Sequence, residues 1–210
     1  MSTIGLLGGT FDPVHIGHLR LAIEVREALA LDELHFLPAR TPNLRGEPCA
    51  SGEQRLEMLE LALSGADFRV DPRELASAGV SYSIESLEAL RRERPNDALC
   101  FILGQDAFNG LTRWHRWSAI LDYAHLVVAA RPGFTTPEDP ALIQLLKRAQ
   151  TKSLAALTAA RAGHIWLQPL PLLPIAASDL RARLRSDRSI AHLTPHAVVD
   201  YIARNRLYQR

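Results

Sequence analysis

The sequence predicts an α/β protein: a doubly wound parallel sheet with a small helical C-terminal portion. Three observations carry this reading. Apolar strand-like runs alternate with segments of helical periodicity along the whole chain. A Gly8-Gly9 turn separates the first run from the first helix, and a complete β-α-β pattern is finished within the first forty residues.

Thr3 to Leu7 reads as the first strand, ending in the paired glycines, and Ile16 to Ala30 places Leu21, Val25, Ala28 and Leu29 at helical spacing. Glu33 to Pro38 is the second strand, joined by a crossover that is right-handed in a parallel sheet. Ala39 to Ser51, rich in Pro, Arg, Asn and Gly, is a loop over the sheet edge. Gly52 to Leu63 follows as a helix with Leu56, Leu59 and Leu63 on one face. Phe68 to Val70 is a minor strand. Ser83 to Arg94 is a helix carrying Ile84, Leu87 and Leu90, and Pro95-Asn96-Asp97 separates it from a buried strand, Ala98 to Leu103. After a stretch with two tryptophans three apart, His125 to Ala130 forms another strand, ended by Arg131-Pro132-Gly133. An Ala-rich helical segment, a short strand over His164 to Leu167, a proline-rich connection to Pro174 and helices beginning near Ser178 and Pro195 complete the chain. The expectation is one domain over residues 1–210, with 175–210 as a helical C-terminal subdomain.

Composition narrows the function classes. With 210 residues and 47% hydrophobic content the chain can bury a real core. No apolar run approaches the roughly 20 residues that span a bilayer, and no basic region followed by a hydrophobic stretch opens the chain, so a cytoplasmic protein without a membrane partner is expected. Cys49 and Cys100 are the only cysteines, too few for a disulfide framework, and neither has neighbours at zinc-finger spacing. The 24 basic and 23 acidic residues give a net charge of +1, which provides no field for gripping a nucleic-acid backbone.

The chemistry gathers after the first strand. Gly8 and Gly9 let backbone N–H groups approach an anion with no Cβ in the way. His15 and His18, three apart at a helix start, share one face and can point at one ligand where the helix dipole is positive. Neither the Gly-x-x-x-x-Gly-Lys-Ser/Thr pattern nor a complete Gly-x-Gly-x-x-Gly is present. Asp106 follows a buried strand, where a carboxylate can accept from ribose hydroxyls or cap the next turn. Ser178 and Arg181 stand one turn apart at the start of a late helix, as anion ligands or, for Ser178, as the cap.

The element Gly8-Gly9-Thr10-Phe11-Asp12-Pro13-Val14-His15-Ile16-Gly17-His18 resembles the signature of the nucleotidylyltransferase superfamily. The chain is similar specifically to the nicotinate-nucleotide adenylyltransferases, over nearly its full length. Ser81-Tyr82-Ser83, Gly104-Gln105-Asp106, Trp114, Arg131-Pro132-Gly133 and Ser178-Asp179-Leu180-Arg181 extend the likeness. The resemblance implies a Rossmann-like nucleotidylyltransferase fold and the transfer of an adenylyl group from ATP, with Mg2+, to nicotinate mononucleotide, giving deamido-NAD and pyrophosphate in NAD biosynthesis.

By that resemblance His15 and His18 are the catalytic pair contacting ATP phosphates, with His18 stabilising the pentacovalent transition state. Gly8, Gly9, Thr10, Phe11, Arg45, Ser178 and Arg181 line the phosphates, and Gly104, Asp106 and Arg131 take the nucleotide and its ribose. Tyr82, Ser83, Trp114 and His115 receive nicotinate, with Trp114 stacking on the ring and Trp117 left to packing. Two positions depart from the family. Leu44 stands where a histidine is common, and in the second phosphate motif, Ile-Ser-x-Thr-x-x-Arg, Ile175 and Arg181 match while Ala176 and Ser178 replace the serine and the threonine. No protein cage for a metal is visible, so magnesium comes with the ATP. Self-association is left open. An enzyme using nicotinamide mononucleotide and a non-catalytic nucleotide sensor remain as alternatives. His15 and the added C-terminal segment argue against phosphopantetheine as the acceptor.

Overall fold

The computed structural model describes residues 1–42, 46–77, 79–130, 135–171 and 173–209. Six strands form one sheet in the order β3-β2-β1-β4-β5-β6, with β1 at Thr3–Gly9, β2 at Glu33–Pro38, β3 at Arg69–Val70, β4 at Ala98–Gly104, β5 at His125–Ala130 and β6 at Ile165–Pro169. Every neighbouring pair is parallel, with Leu7 opposite Phe36 on one side and Ile102 on the other. The order reverses between β1 and β4, and in open α/β sheets that switch point opens the crevice where ligands bind, at the strand C-terminal ends.

Among the described residues ten α-helices accompany the sheet: α1 Ile16–Leu29, α2 Gly52–Leu63, α3 Arg73–Ala76, α4 Ser83–Glu93, α5 Gln105–Asn109, α6 Ile120–Tyr123, α7 Pro140–Ala149, α8 Leu154–Ala159, α9 Ala177–Arg185 and α10 His196–Arg204. Alternation along each strand divides the core in two. Leu7, Leu34, Phe36, Cys100, Ile102 and Val127 meet α1, α2, α9 and α10 on one face. Ile4, Leu6, Leu99, Phe101, Leu126 and Val128 meet α4 and α7 on the other. Strands buried on both faces read as continuous apolar runs, which is why β4 and β5 show no polar alternation. Among the described residues no helix is long and apolar enough to cross a membrane.

The structure modifies several expected boundaries. β1 runs through Gly8 and Gly9, so the glycines are the last strand residues rather than the turn alone. β6 is displaced toward Pro169, and the Ala-rich segment divides into α7 and α8. The expected apolar face of α2 is rotated: Met58, Leu59 and Leu63 are buried, Leu56 is only half-buried, and Arg55 occupies the inner face.

Arg55 has 1% of its surface exposed. Its guanidinium donates to the carbonyls of Thr10 (2.8 Å), Ala39 (2.6 Å), Arg40 (3.0 Å) and Ala50 (3.3 Å). These carbonyls belong to the turn after β1, the turn after β2 and the segment entering α2. One planar fork of five N–H donors thus satisfies backbone groups that loops leave over and pins two strand exits together. Replacing Arg55 with leucine leaves four carbonyls, one of them buried at Ala50, without their donor, so the expected loss is about 3 kcal/mol of unfolding free energy. Urea unfolding should show a lowered midpoint at unchanged slope, and Arg55→Lys should recover only part, because an ammonium cannot span four acceptors.

Candidate active site

The first strand ends in a turn that only glycine accommodates. A Cβ on Gly9 would lie 2.8 Å from the Phe11 ring, and one on Gly8 would lie 3.2 Å from Phe101. Phe11 folds back over Gly9 with φ +51° and 1% exposure, 5.5 Å from the Phe36 ring and 5.0 Å, edge-on, from His18. The Asp12-Pro13 peptide that follows is cis.

Asp12 is 4% exposed and fully engaged. Its Oδ1 accepts from the Ala50 N–H (3.1 Å) and the Tyr208 hydroxyl (2.7 Å), and its Oδ2 from the Cys49 N–H (2.8 Å). Its carbonyl accepts from Arg181 Nη1 at 2.5 Å. Two more bonds from the C-terminal portion hold the turn: Thr194 donates to the Val14 carbonyl (2.8 Å), and the Leu193 carbonyl accepts the Ile16 N–H, the first of α1 (2.9 Å).

His15 is the N-cap residue of α1, in extended conformation and 5% exposed. Burial pushes its imidazole down to about 4, so the ring is neutral at physiological pH. His18 stacks on it with ring centroids 3.7 Å apart. The His15 N–H donates to His18 Nδ1 at 3.3 Å, which places the proton of a neutral His18 on Nε2. Gly17 gives the rings room, since a Cβ there would stand 3.0 Å from His15 Nδ1.

Among the described residues two buried side-chain atoms have no hydrogen-bond partner, His15 Nδ1 and Arg181 Nε. One belongs to each of the two expected phosphate motifs. The second motif is built differently from expectation: α9 has Ala176 as its N-cap, without a side-chain bond, and Ser178 is exposed inside the first turn rather than capping it.

Gly104 ends β4 and caps α5 by its position, so Asp106 is not the cap; its carboxylate lies exposed in the first turn. Gln105 ties this corner to Thr135 beyond β5. Tyr82 is the N-cap residue of α4, Ser83 its first residue, and the Tyr82 ring meets His115 at 4.5 Å. Trp114 packs edge-on against Phe101 at 6.1 Å. Trp114 and Trp117 are both half-buried against the same core layer, so packing does not divide them into ligand contact and core residue. Contact runs Trp114, Phe101, Gly8, which joins this cluster to the phosphate turn. Arg45 and Arg131 lie outside the described residues.

Asp12, Arg55 and Tyr208 did not stand out as site residues in the sequence. Asp12 sits inside the quoted motif. Arg55 interrupts a leucine pattern, and Tyr208 has no local signal at all.

The profile of the cytidylyltransferase-like family matches residues 6–183. A probable nicotinate-nucleotide adenylyltransferase of Aeromonas salmonicida is 46% identical over 207 residues, covering 98% of this chain and 97% of that one. One from Methylococcus capsulatus is 43% identical over 209 residues, covering 99% and 100%. The nicotinic acid mononucleotide adenylyltransferase of Plasmodium falciparum, solved in complex with NaAD, superposes with a TM-score of 0.75 at 17% identity over 99% of this chain and 98% of that one, a likeness of fold.

The burial of His15 has a thermodynamic consequence. Its folded-state pKa of about 4 lies below the unfolded value, so the unfolded chain binds more protons in between. The stability that neutral His15 permits is present above about pH 6.5 and falls as pH drops toward 4. Between about pH 7.5 and about pH 5 the protein should lose about 2 kcal/mol more than a His15→Asn variant, measured by urea unfolding at both pH values.

Proposed function

The chain belongs to the cytidylyltransferase-like family, among relatives named nicotinate-nucleotide adenylyltransferases, and from that premise we propose that it transfers the adenylyl group of ATP to nicotinate mononucleotide, releasing pyrophosphate and forming deamido-NAD. One observation of the structure supports the reading: the two buried side-chain nitrogens without a partner among the described residues, His15 Nδ1 and Arg181 Nε, belong to residues at the turn after β1, His15 at its end and Arg181 bonded to its Asp12 carbonyl. A buried donor or acceptor without a partner costs about 1–3 kcal/mol, and an anion with several oxygens relieves that cost at both atoms.

The reaction asks for alignment more than for proton transfer. The acceptor phosphate has its second pKa near ~6 and is already a strong nucleophile at neutral pH. What opposes reaction is repulsion between two anions and the charge that develops on the α-phosphoryl group. In our reading the backbone of Gly8 to Phe11 and the N-terminus of α1 cradle the phosphates, and His18 Nε2–H donates to the α-phosphoryl oxygen as it gains charge. His15, neutral, fixes the His18 ring by stacking and through its own N–H. Arg181, with Ser178 and Arg45, receives the pyrophosphate. Gly104, Asp106 and Arg131 hold the nucleotide and its ribose, while Tyr82, Ser83, His115 and Trp114 bind nicotinate.

Magnesium neutralises phosphate charge when bound. Among the described residues no cluster of three His, Cys, Asp or Glu side chains could hold it, and the Asp12 oxygens are already taken by three donors. The ion therefore fits as a passenger on the ATP phosphates. Residues 1–210 act in this reading as one cytoplasmic domain, with 175–210 closing over the phosphate turn.

The test is pyrophosphate release with ATP and magnesium against nicotinate mononucleotide, its amide and phosphopantetheine. Nicotinate mononucleotide should be preferred, and His18→Ala should lower kcat about a thousandfold with the KM for ATP little changed, because the contact strengthens only in the transition state. Preference for another acceptor would move the substrate assignment. ATP binding with no pyrophosphate released from any acceptor would replace the enzyme by a nucleotide sensor.

A further inference from the structure

Arg181 faces a choice of partners. Its Nη1 donates to the Asp12 carbonyl, its nearest approach to the Asp12 carboxylate is 3.6 Å at Oδ2, and its Nε is buried with no partner. A guanidinium beside a buried carboxylate ordinarily closes into a bidentate pair with two short N–H···O bonds. Here that closure is blocked. Both acceptor positions of Oδ1 are taken, by the Ala50 N–H and by the Tyr208 hydroxyl, and Oδ2 already accepts from Cys49. Tyr208 is 8% exposed and reaches Asp12 from 196 residues away. Of the three donors it is the only side chain, and so the only one that a substitution can delete.

We propose that Tyr208 is a positioning residue for ATP: by occupying Oδ1 of Asp12 it keeps the long 3.6 Å contact between Arg181 and the Asp12 carboxylate from closing into a bidentate pair and holds the guanidinium available to phosphate. This rests on the reading of Arg181 as a phosphate ligand. Without the hydroxyl, Asp12 Oδ1 regains an acceptor position, the carboxylate turns toward Arg181, and the two close on each other. ATP must then break an ion pair before it can recruit the arginine.

The experiment is a double-mutant cycle of Tyr208→Phe and Arg181→Ala, at low temperature on protein shown to be folded by near-ultraviolet circular dichroism. Tyr208→Phe keeps the buried ring and removes one oxygen. It should raise the KM for ATP about tenfold, leave the KM for nicotinate mononucleotide within about twofold, and add less than about twofold when Arg181 is already alanine. In the ligand-free variant the Arg181 Nε–H should exchange with solvent more slowly than in the wild type, since a carboxylate now holds the guanidinium. An unchanged KM for ATP, an equal effect in both Arg181 backgrounds, or parallel rises for both substrates would each overturn the proposal. Wild-type pyrophosphate release tests the adenylyltransferase reading separately. If the wild type releases none, the same cycle is read from the dissociation constant of magnesium-ATP by calorimetry, with the same two outcomes.

Discussion

The architecture of the site depends on one buried carboxylate. Asp12 gathers donors from the segment that enters α2, through the Cys49 and Ala50 N–H groups, and from the chain end, through Tyr208. Its own carbonyl receives Arg181 from α9. A carboxylate at 4% exposure is tolerable only because its oxygens are satisfied, and satisfying them draws two distant segments onto one turn, with α9 added through the Asp12 carbonyl. Arg55 completes the arrangement from beneath, by holding the Thr10 carbonyl of the same turn. Charge is balanced locally, and the peptide groups between Gly8 and Phe11 are held without dependence on ligand.

That rigidity suits a reaction in which the protein supplies placement and electrostatic stabilisation. Preorganised donors help because they do not reorganise as charge develops. The histidine pair follows the same logic. Burial keeps His15 neutral, and its N–H bonds His18 Nδ1, so the backbone at the start of α1 orients the His18 ring. A permanently protonated pair with centroids 3.7 Å apart would repel itself in the absence of substrate.

The parallel sheet was legible from the amino acids because each buried strand is a short apolar run and each helix carries its own period; these are local signals. The turn after β1 was legible for the same reason, since Gly8, Gly9, His15 and His18 fall within one continuous segment. The inner face of α2 was not legible. Periodicity assigns Leu56 to the core and has no means of assigning Arg55, whose burial is offset by carbonyls from three other segments. Ser178 suits a cap because serine favours that position, but the N-cap of α9 lies two residues earlier, at Ala176, which offers no side-chain oxygen. Tyr208 could not be found locally: its partner is 196 residues away, and the bond depends on how the C-terminal portion packs.

A second arginine, half-buried, shows what separates structural support from function. Arg91 donates to the carbonyls of Arg94, Asp97, Tyr123 and Arg161, joining loops at the strand N-terminal ends as Arg55 joins those at the C-terminal ends. Both are backbone clamps built from the same chemistry. Among the described residues only Arg55 is bound to a segment that also carries an unpartnered buried nitrogen, since the loops clamped by Arg91 lead into a stacked histidine pair of their own, His125 and His164, without one. The difference lies in what the clamped loops leave unsatisfied. At the carboxyl end His15 Nδ1 and Arg181 Nε are left without a hydrogen-bond partner among the described residues, a demand that the phosphates of the proposed reaction would meet.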